Sequence, residues 1–430
     1  MTPPYTTIST DTRTIRPGAL FVALTGERFD GHDFLGAARD AGAVAAVVRC
    51  GTPAVARFEL LEVDDPLAEF GRLATARRRE VDGPVIAVTG SNGKTTTKEL
   101  LIRVLATKWQ VHGTTANRNN LVGVPQTILA APEGTQALVV EAGANEPGEI
   151  ARLRKIIEPT IAVVANVSAG HLAGFGSLPA VLEEKALLAR DVPLAVVGAR
   201  PATLREAVQL LAGRVVTAGA DPASDVVAED VGLDDNGHVR LTVRGQRLRV
   251  PLVGRHQAEN VALAVAVALE LGLDLAQVAA ALADVVVPGG RCEVIRHGDL
   301  LVLNDTYNSN PESFRASLEA AIEMRGDRPF VAVLGSMLEL GDKSRRLHVE
   351  AAEAVMHAEP RLVGATGEFV AAFREVGLQP GDRFVVSDDV MDLGRSVKQA
   401  LRGDEFVLLK ASRGVRLERI IPSLTTGDDA

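Results

Sequence analysis

VTGSNGKTTTKEL, residues 88–100, is the stretch on which the fold turns. It follows the apolar run PVIAVT (84–89), which suits a strand buried on both faces of a parallel sheet. Gly90 and Gly93 permit a tight turn and let backbone N–H groups approach phosphate oxygens. Lys94 and Thr95 open a helix whose N-terminus adds positive potential. Lys94 can bridge the β- and γ-phosphates of a nucleotide, and the Thr95 hydroxyl can ligate magnesium. The pattern is G-x-x-G-K-T, shorter than G-x-x-x-x-G-K-[ST], because Val88 stands five positions before Gly93. With a strand before it and a helix after it, Gly90, Ser91, Asn92, Gly93, Lys94, Thr95 and Thr96 read as a nucleotide-phosphate loop.

Working outward, ALVVE (137–141), IAVVAN (161–166) and LAVVGA (194–199) are further apolar strands separated by helical stretches. That alternation predicts a parallel sheet covered on both faces. Residues 226–250 alternate polar and apolar around Asn236-Gly237 and Gly245, as antiparallel hairpins do. Upstream, FVALTG (21–26) and AVAAVVR (43–49) read as strands, and 34–41 and 66–79 carry helical spacing. The run Arg77-Arg78-Arg79 before Asp82-Gly83-Pro84 reads as a solvated helix end leading into a linker. Downstream, FVAVLG (330–335), RLVGATG (361–367), RFVVSD (383–388) and EFVLLKAS (405–412) alternate with helices near 347–358, 368–376 and 391–401. This is a second doubly wound unit. The expectation is an α/β protein of three domains. A small mixed α/β domain spans 1–82, a central parallel-sheet P-loop-type ATPase domain spans 83–290, and a C-terminal Rossmann-like domain spans 291–430.

Composition agrees. The 430 residues suit about three domains at roughly 150 residues each. Lys and Arg number 46 against 55 Asp and Glu, a formal charge of −9, which argues against a nucleic-acid partner. Cys50 and Cys292 are the only cysteines, so a disulfide framework and a cysteine zinc site are excluded. Uncharged apolar runs such as Val261–Leu269 fall short of the ~18 residues of a membrane span. MTPPYTTIST lacks the basic and apolar regions of a signal peptide. The expectation is a cytoplasmic monomer without membrane insertion. A phosphorylated ligand would approach a protein of its own sign, so helix N-termini, a few cations and metal ions must bind it locally.

Three positions could complete a magnesium site. Glu141 ends a strand at the carboxyl edge, where ligands bind in open parallel sheets. His171 follows the next strand by five residues. Alone, it reads as a solvated loop side chain. Lys185 lies in LPAVLEEKALLA, a helix with an apolar stripe at Val181, Leu182, Ala186 and Leu188, and alone reads as an exposed helical lysine.

These strings resemble the Mur ligases, the ATP-dependent amide-forming enzymes of bacterial peptidoglycan precursor synthesis. TGSNGKTTTKE, NRNNLVGVP (117–125), EAGANEPGEI (141–150), NVSAGHLAGFGSL (166–178), GRHQAENVALA (254–264) and NDTYNSNPES (304–313) occur in the family's order. STDTR (9–13) and LFVALTGERFDGHDF (20–34) resemble its UDP-sugar-binding domain, and VLGSMLELGDKS (333–344) and LLKASR (408–413) the domain receiving the amine. NVSAGHLAGFGSL, YNSNP and M-L-E-L-G resemble the branch that joins D-alanyl-D-alanine to UDP-N-acetylmuramoyl-tripeptide. The D-Y-A-H-T-P and Asp-Asn-Pro-Arg strings of the third-residue-adding branch are missing.

The resemblance implies residue roles. Glu141 and His171 match magnesium ligands beside Thr95, and Lys185 matches a carbamylated lysine that helps hold a second magnesium. Asn260 matches a residue that recognises adenine, and Arg291 one that reaches the ATP phosphates. Asp305, Tyr307, Asn308 and Asn310 match a segment at the ATP edge. Thr10, Asp11, Thr12 and Arg13, with Gly26, Glu27 and Arg28, match the uridine diphosphate side. Lys94, His171, Lys185 and Arg291 would carry catalysis. Three positions depart from the family: Ser336 where Asp is usual, Ala411 where Gly is usual, and Ser309 where Ala is usual. The implied reaction is amide formation through an acyl phosphate, with ATP, two Mg2+ ions, the UDP-linked tripeptide and D-alanyl-D-alanine. Alternatives are the third-residue-adding or folylpolyglutamate ligases. A transport or motor ATPase lacks support in the short loop and the missing Walker-B strand, and a non-catalytic module would not need Glu141, His171 and Lys185 together.

Overall fold

The structure, a computed structural model, describes residues 5–27, 29–168 and 172–425. Its central element is a seven-stranded sheet, parallel throughout. Across the sheet run Val226–Val227, Arg214–Gly219, Leu194–Gly198, Ile161–Val164, Val85–Thr89, Ala137–Glu141 and Val111–Gly113. Val85–Thr89 thus lies between the two strands that precede Asn166 and follow Thr114. Register sets Val88 beside Glu141 and Thr89 beside Val164. The phosphate loop, Glu141 and the 165–168 segment therefore leave the sheet at one carboxyl edge.

Both faces are buried, as continuous apolar strands require. One face packs on helices Lys94–Leu105 and Gln257–Glu270, with Leu100, Leu101 and Val104 against Val261 and Val265. The same core extends to an antiparallel sheet of Glu229–Leu233, His238–Val243 and Gln246–Val253 through Val239, Leu241 and Val250. The other face packs on Gly123–Leu129, Glu149–Ile157 and Leu178–Ala186.

Upstream, Ile8–Ser9, Ala19–Val22, Ala43–Arg49 and Glu59–Val63 form a parallel sheet. The run expected as one strand over 21–26 is broken. Gly31 N–H donates to Leu24 O at 2.8 Å, and a Cβ on Gly31 would meet Leu24 N and O at 2.7 Å. The chain folds back there, and Thr25–Gly26 pairs with Phe29–Asp30 in a separate ribbon. Downstream, Glu293–His297 runs antiparallel to Leu300–Asp305, which joins a parallel set of Phe406–Lys410, Phe330–Leu334, Leu362–Ala365 and Phe384–Val386. Among the described residues no helix is long and apolar enough to cross a membrane.

The arginine run is not a solvated helix end. Helix Pro66–Arg78 packs against Gly123–Leu129 and Glu149–Ile157. Arg77 donates to Ala131 O at 2.8 Å and Pro132 O at 3.0 Å. Half-buried Arg78 donates to Ile157 O at 2.8 Å and Glu158 O at 2.6 Å, and Arg79 pairs with the Glu158 carboxylate at 2.5 Å. Carbonyls at a helix C-terminus lack intrahelical donors, and guanidinium groups supply them. The run is a clasp between the first unit and the second.

Candidate active site

Gly93 adopts φ +76°, and a Cβ there would lie 2.1 Å from Asn260 Oδ1. Only glycine fits, for conformation and space together. Ser91 N–H donates to Asn166 O at 3.0 Å, Asn92 N–H to Asn166 Oδ1 at 2.9 Å, and Asn166 Nδ2 returns a bond to Asn92 O at 3.1 Å. Ser91 Oγ donates to Ser168 O at 3.1 Å. The loop is fixed before any ligand arrives.

Lys94 Nζ donates to Gly90 O at 2.7 Å and Ser91 O at 3.2 Å, curling over its own loop. Burial pulls its pKa below the usual lysine range, the Glu141 carboxylate opposes that, and the Arg291 charge adds to it. An incoming polyphosphate would restore the lost stabilisation of the cation. Beside it, Thr95 Oγ1 donates to Glu141 Oε2 at 2.9 Å, and Asn119 Nδ2 donates to Glu141 Oε1 at 2.8 Å. Glu141 N–H donates to Thr114 Oγ1 at 2.9 Å. The carboxylate is 2% exposed yet aimed at the loop.

Lys185 is 1% exposed on Leu178–Ala186, so its reading as an exposed helical lysine fails. Burial, the Lys94 charge and, in opposition, the Glu184 charge leave its pKa lowered to about 7. Glu184 itself accepts Gly148 N–H at 2.8 Å and Ile150 N–H at 2.7 Å, closing the N-terminus of Glu149–Ile157. His171 and Arg28 lie outside the described residues. Among the described residues no three His, Cys, Asp or Glu side chains converge as a metal cage. The paired oxygens of Thr95 and Glu141 are nonetheless hard donors of the kind magnesium takes.

From the C-terminal side, Arg291 Nη2 reaches Thr95 Oγ1 at 3.2 Å, and its guanidinium lies 3.6 Å from the Tyr307 ring centroid. Cation and ring thus border the loop together. Asp305 is not presented to a ligand. It pairs with buried Lys410 at 2.5 Å, accepts Cys292 N–H at 3.1 Å and accepts the Ser317 hydroxyl. Lys410 also donates to Asn308 O at 2.8 Å. Asn260, 6% exposed, accepts Thr97 Oγ1 at 3.2 Å and donates to Gln257 Oε1 at 2.8 Å, joining the two helices beneath the loop. Ser336 Oγ accepts Glu368 N–H at 2.9 Å at the start of Glu368–Glu375, an acceptor role that an Asp would also fill. Ala411 is fully buried, its Cβ 3.0 Å from where one on Gly335 would sit.

At the front, Asp11 caps the turn Thr12–Thr14 and holds the Arg13 guanidinium at 2.6 Å, which lowers its pKa to about 2. Thr10 Oγ1 accepts Gln126 Nε2 at 2.9 Å, tying this turn to the central unit. Gly26 and Glu27 are exposed at the tip of the ribbon. Sequence reasoning missed Asn119, Thr114, Asn166 and Ser168. Asn119 lies in the NRNN string and Asn166 ends IAVVAN, so position beside a strand end was the available signal.

Family models match the chain as "Mur ligase family, catalytic domain" over 4–72, "Mur ligase middle domain" over 88–268 and "Mur ligase, glutamate ligase domain" over 290–413. UDP-N-acetylmuramoyl-tripeptide–D-alanyl-D-alanine ligase of Bacillus subtilis is 34% identical, over 97% of this chain and 92% of the relative. The crystal structure of MurF from Acinetobacter baumannii superposes with a TM-score of 0.88 at 29% identity, over 97% of this chain and 93% of that one. MurF from Thermotoga maritima, solved in complex with ADP, gives 0.86 at 30% identity over 97% of both chains.

Proposed function

The chain belongs to the Mur ligase family, and we propose that within it this protein joins D-alanyl-D-alanine to the terminal carboxylate of UDP-N-acetylmuramoyl-tripeptide at the expense of ATP. The observation that carries the reading is the meeting of loop, Lys94, Thr95, Glu141 and Arg291 at one sheet edge. Residues 1–82 take the UDP moiety through the 10–13 turn and through Gly26, Glu27 and Arg28, 83–290 take ATP, and 291–430 receive the amine. The three-unit match to relatives carrying that substrate name supports this reading over the third-residue and folate ligases.

Carboxylate and amine do not condense in water, because hydroxide is a poor leaving group. The tripeptide carboxylate attacks the γ-phosphorus of ATP, ADP leaves, and an acyl phosphate forms. The amine of D-alanyl-D-alanine then attacks the acyl carbon, and phosphate departs from the tetrahedral intermediate. Both reactants of the first step are anions, so cancelling charge is the main task. Loop N–H groups hold phosphate oxygens, Lys94 exchanges its carbonyl partners for the β- and γ-phosphates, and Arg291 approaches from the C-terminal side. Magnesium, held by Thr95 and Glu141 with His171, would add Lewis-acid neutralisation of phosphate charge. Asn119 keeps the second Glu141 oxygen turned away from that role.

Lys185 suits a carbamate. An amine titrating at about 7 is half neutral at that pH. The neutral nitrogen adds to carbon dioxide, releases a proton and becomes an anion beside Lys94 instead of a like charge. That anion would offer a further oxygen to a second magnesium. Asn260 and Asp305 lie where the adenine and the ATP edge are expected, but their side chains are committed to protein partners, so they support the pocket walls. Dependence on ATP supports a cytoplasmic location.

A coupled assay tests the reading: phosphate release with purified UDP-N-acetylmuramoyl-tripeptides, each candidate amine, ATP and Mg2+. D-alanyl-D-alanine should be the amine that sustains turnover, and Lys94→Ala should abolish it with the circular dichroism spectrum unchanged. Phosphate release indifferent to the amine would overturn the reading.

A further inference from the structure

We infer that Asn310 and Glu312 form, with Asn92 of the phosphate loop, a latch that positions the C-terminal unit over the nucleotide site. The inference rests on the function proposed above and assigns positioning residues to it. Asn92 is gripped from two sides. Its peptide is clamped to the central unit by the reciprocal bonds with Asn166, at 2.9 and 3.1 Å. Its side chain reaches the other unit: Asn310 Nδ2 donates to Asn92 Oδ1 at 2.7 Å, and Asn92 Nδ2 donates to Glu312 Oε2 at 2.9 Å as well as to Ser168 Oγ of the central unit at 3.1 Å.

The far end is held as firmly. Asn310 is the N-cap of helix Pro311–Arg325, its Oδ1 accepting Ser313 N–H at 2.9 Å while Ser313 Oγ accepts Asn310 N–H at 3.1 Å. One amide therefore does two jobs, with oxygen for the helix and nitrogen for the latch. The helix is tied further into its own unit. Ser317 on it donates to Asp305, Asp305 pairs with Lys410, and Lys410 holds Asn308 O at 2.8 Å. The fixed loop is thus joined, through contiguous polar contacts, to the segment bordering Tyr307 and to the strand leading to Ser412. Its use is to keep the C-terminal unit docked while the acyl phosphate exists, so that amine rather than water reaches the acyl carbon.

Asn310→Asp separates the two jobs, because a carboxylate caps the helix as well as an amide does but cannot donate to Asn92. In the full chain we expect amide formation to slow about 5- to 10-fold, the worth of about one hydrogen bond, with the KM for ATP little changed. Phosphate released per amide formed should rise well above the wild-type ratio as water intercepts the intermediate. The thermal midpoint should stay at the wild-type value. Glu312→Ala, which removes the second arm, should raise the ratio too. In small-angle scattering without nucleotide, Asn310→Asp should have the larger radius of gyration. Unchanged coupling would overturn the latch, as would parallel loss of both products with a lowered midpoint, the mark of a structural cap alone. If wild type forms no amide, the functional reading fails. Scattering still decides the latch, and identical curves for wild type and variant overturn it.

Discussion

Replacing Lys185 with Met should stabilise the ligand-free protein while destroying its activity. The side chain is 1% exposed, and its pKa falls from 10.5 to about 7 because burial and the Lys94 charge outweigh Glu184. The unfolded chain holds a proton there that the native state gives up between about 7 and 10.5. At about 1.4 kcal/mol per pH unit, the native state forfeits about 4 kcal/mol at pH 7. The cost is complete below pH 7 and fades as pH rises to 10.5, since stability increases wherever the unfolded state binds more protons. Met has nearly the same volume and no charge, so the exchange removes the cost with little repacking. Relaxation around the ammonium trims the gain to roughly 2–4 kcal/mol. Urea unfolding in carbon-dioxide-free buffer, with variant and wild type compared from pH 7 to 9.5, reads it. The gap should shrink steadily with pH. Bicarbonate should stabilise wild type, through the carbamate, and leave the variant unmoved. A variant no more stable than wild type at pH 7, or a gap independent of pH, would refute the reasoning.

Three further outcomes follow from the geometry. Gly93→Ala, at φ +76° and 2.1 Å from Asn260 Oδ1, should cost at least ~2 kcal/mol in denaturant unfolding and lose ADP binding in calorimetry, and adding Asn260→Ala should recover part of the stability but not the binding. Arg78→Ala should weaken the clasp on Ile157 and Glu158 by roughly 1–3 kcal/mol and speed proteolysis between residues 79 and 84, whereas exposed Arg79→Ala should shift stability by under ~1 kcal/mol. Ser336→Ala should lower the thermal midpoint through loss of a helix cap worth about 0.5–2 kcal/mol, and Ser336→Asp should restore it.

What could be read in advance divides by the range of the cause. The phosphate loop was legible because each residue answers a local demand: glycine for left-handed backbone, lysine for charge, threonine for a hydroxyl at a helix start. Strand ALVVE was legible to the residue, and Glu141 at its end followed. Val111–Gly113 and Val226–Val227 are too short to show periodicity, and they are sheet edges only because longer strands lie beside them. The arginine run was misread since nothing in its composition reveals the carbonyls of Ile157 and Glu158, about 80 residues away in sequence, that it meets. Lys185, read alone, passed for an exposed lysine for the same reason, and it was the family resemblance that drew it to the site. Its burial depends on the packing of Leu178–Ala186 against the sheet, and amphipathic spacing says only which side is apolar. Asn119 and Asn310 lie in strings that the family resemblance singled out, but that they reach across the fold to Glu141 and Asn92 is not written in their neighbours in sequence.

In the proposed reaction a carboxylate reaches the γ-phosphate at the edge built from Lys94, Thr95, Glu141 and Arg291. Tripeptide substrate carrying 18O in its terminal carboxylate tests it most directly, with released phosphate read by mass spectrometry. One labelled oxygen in each phosphate, for every D-alanyl-D-alanine joined, is the predicted result. Unlabelled phosphate, with three oxygens from ATP and the fourth from solvent, would contradict it.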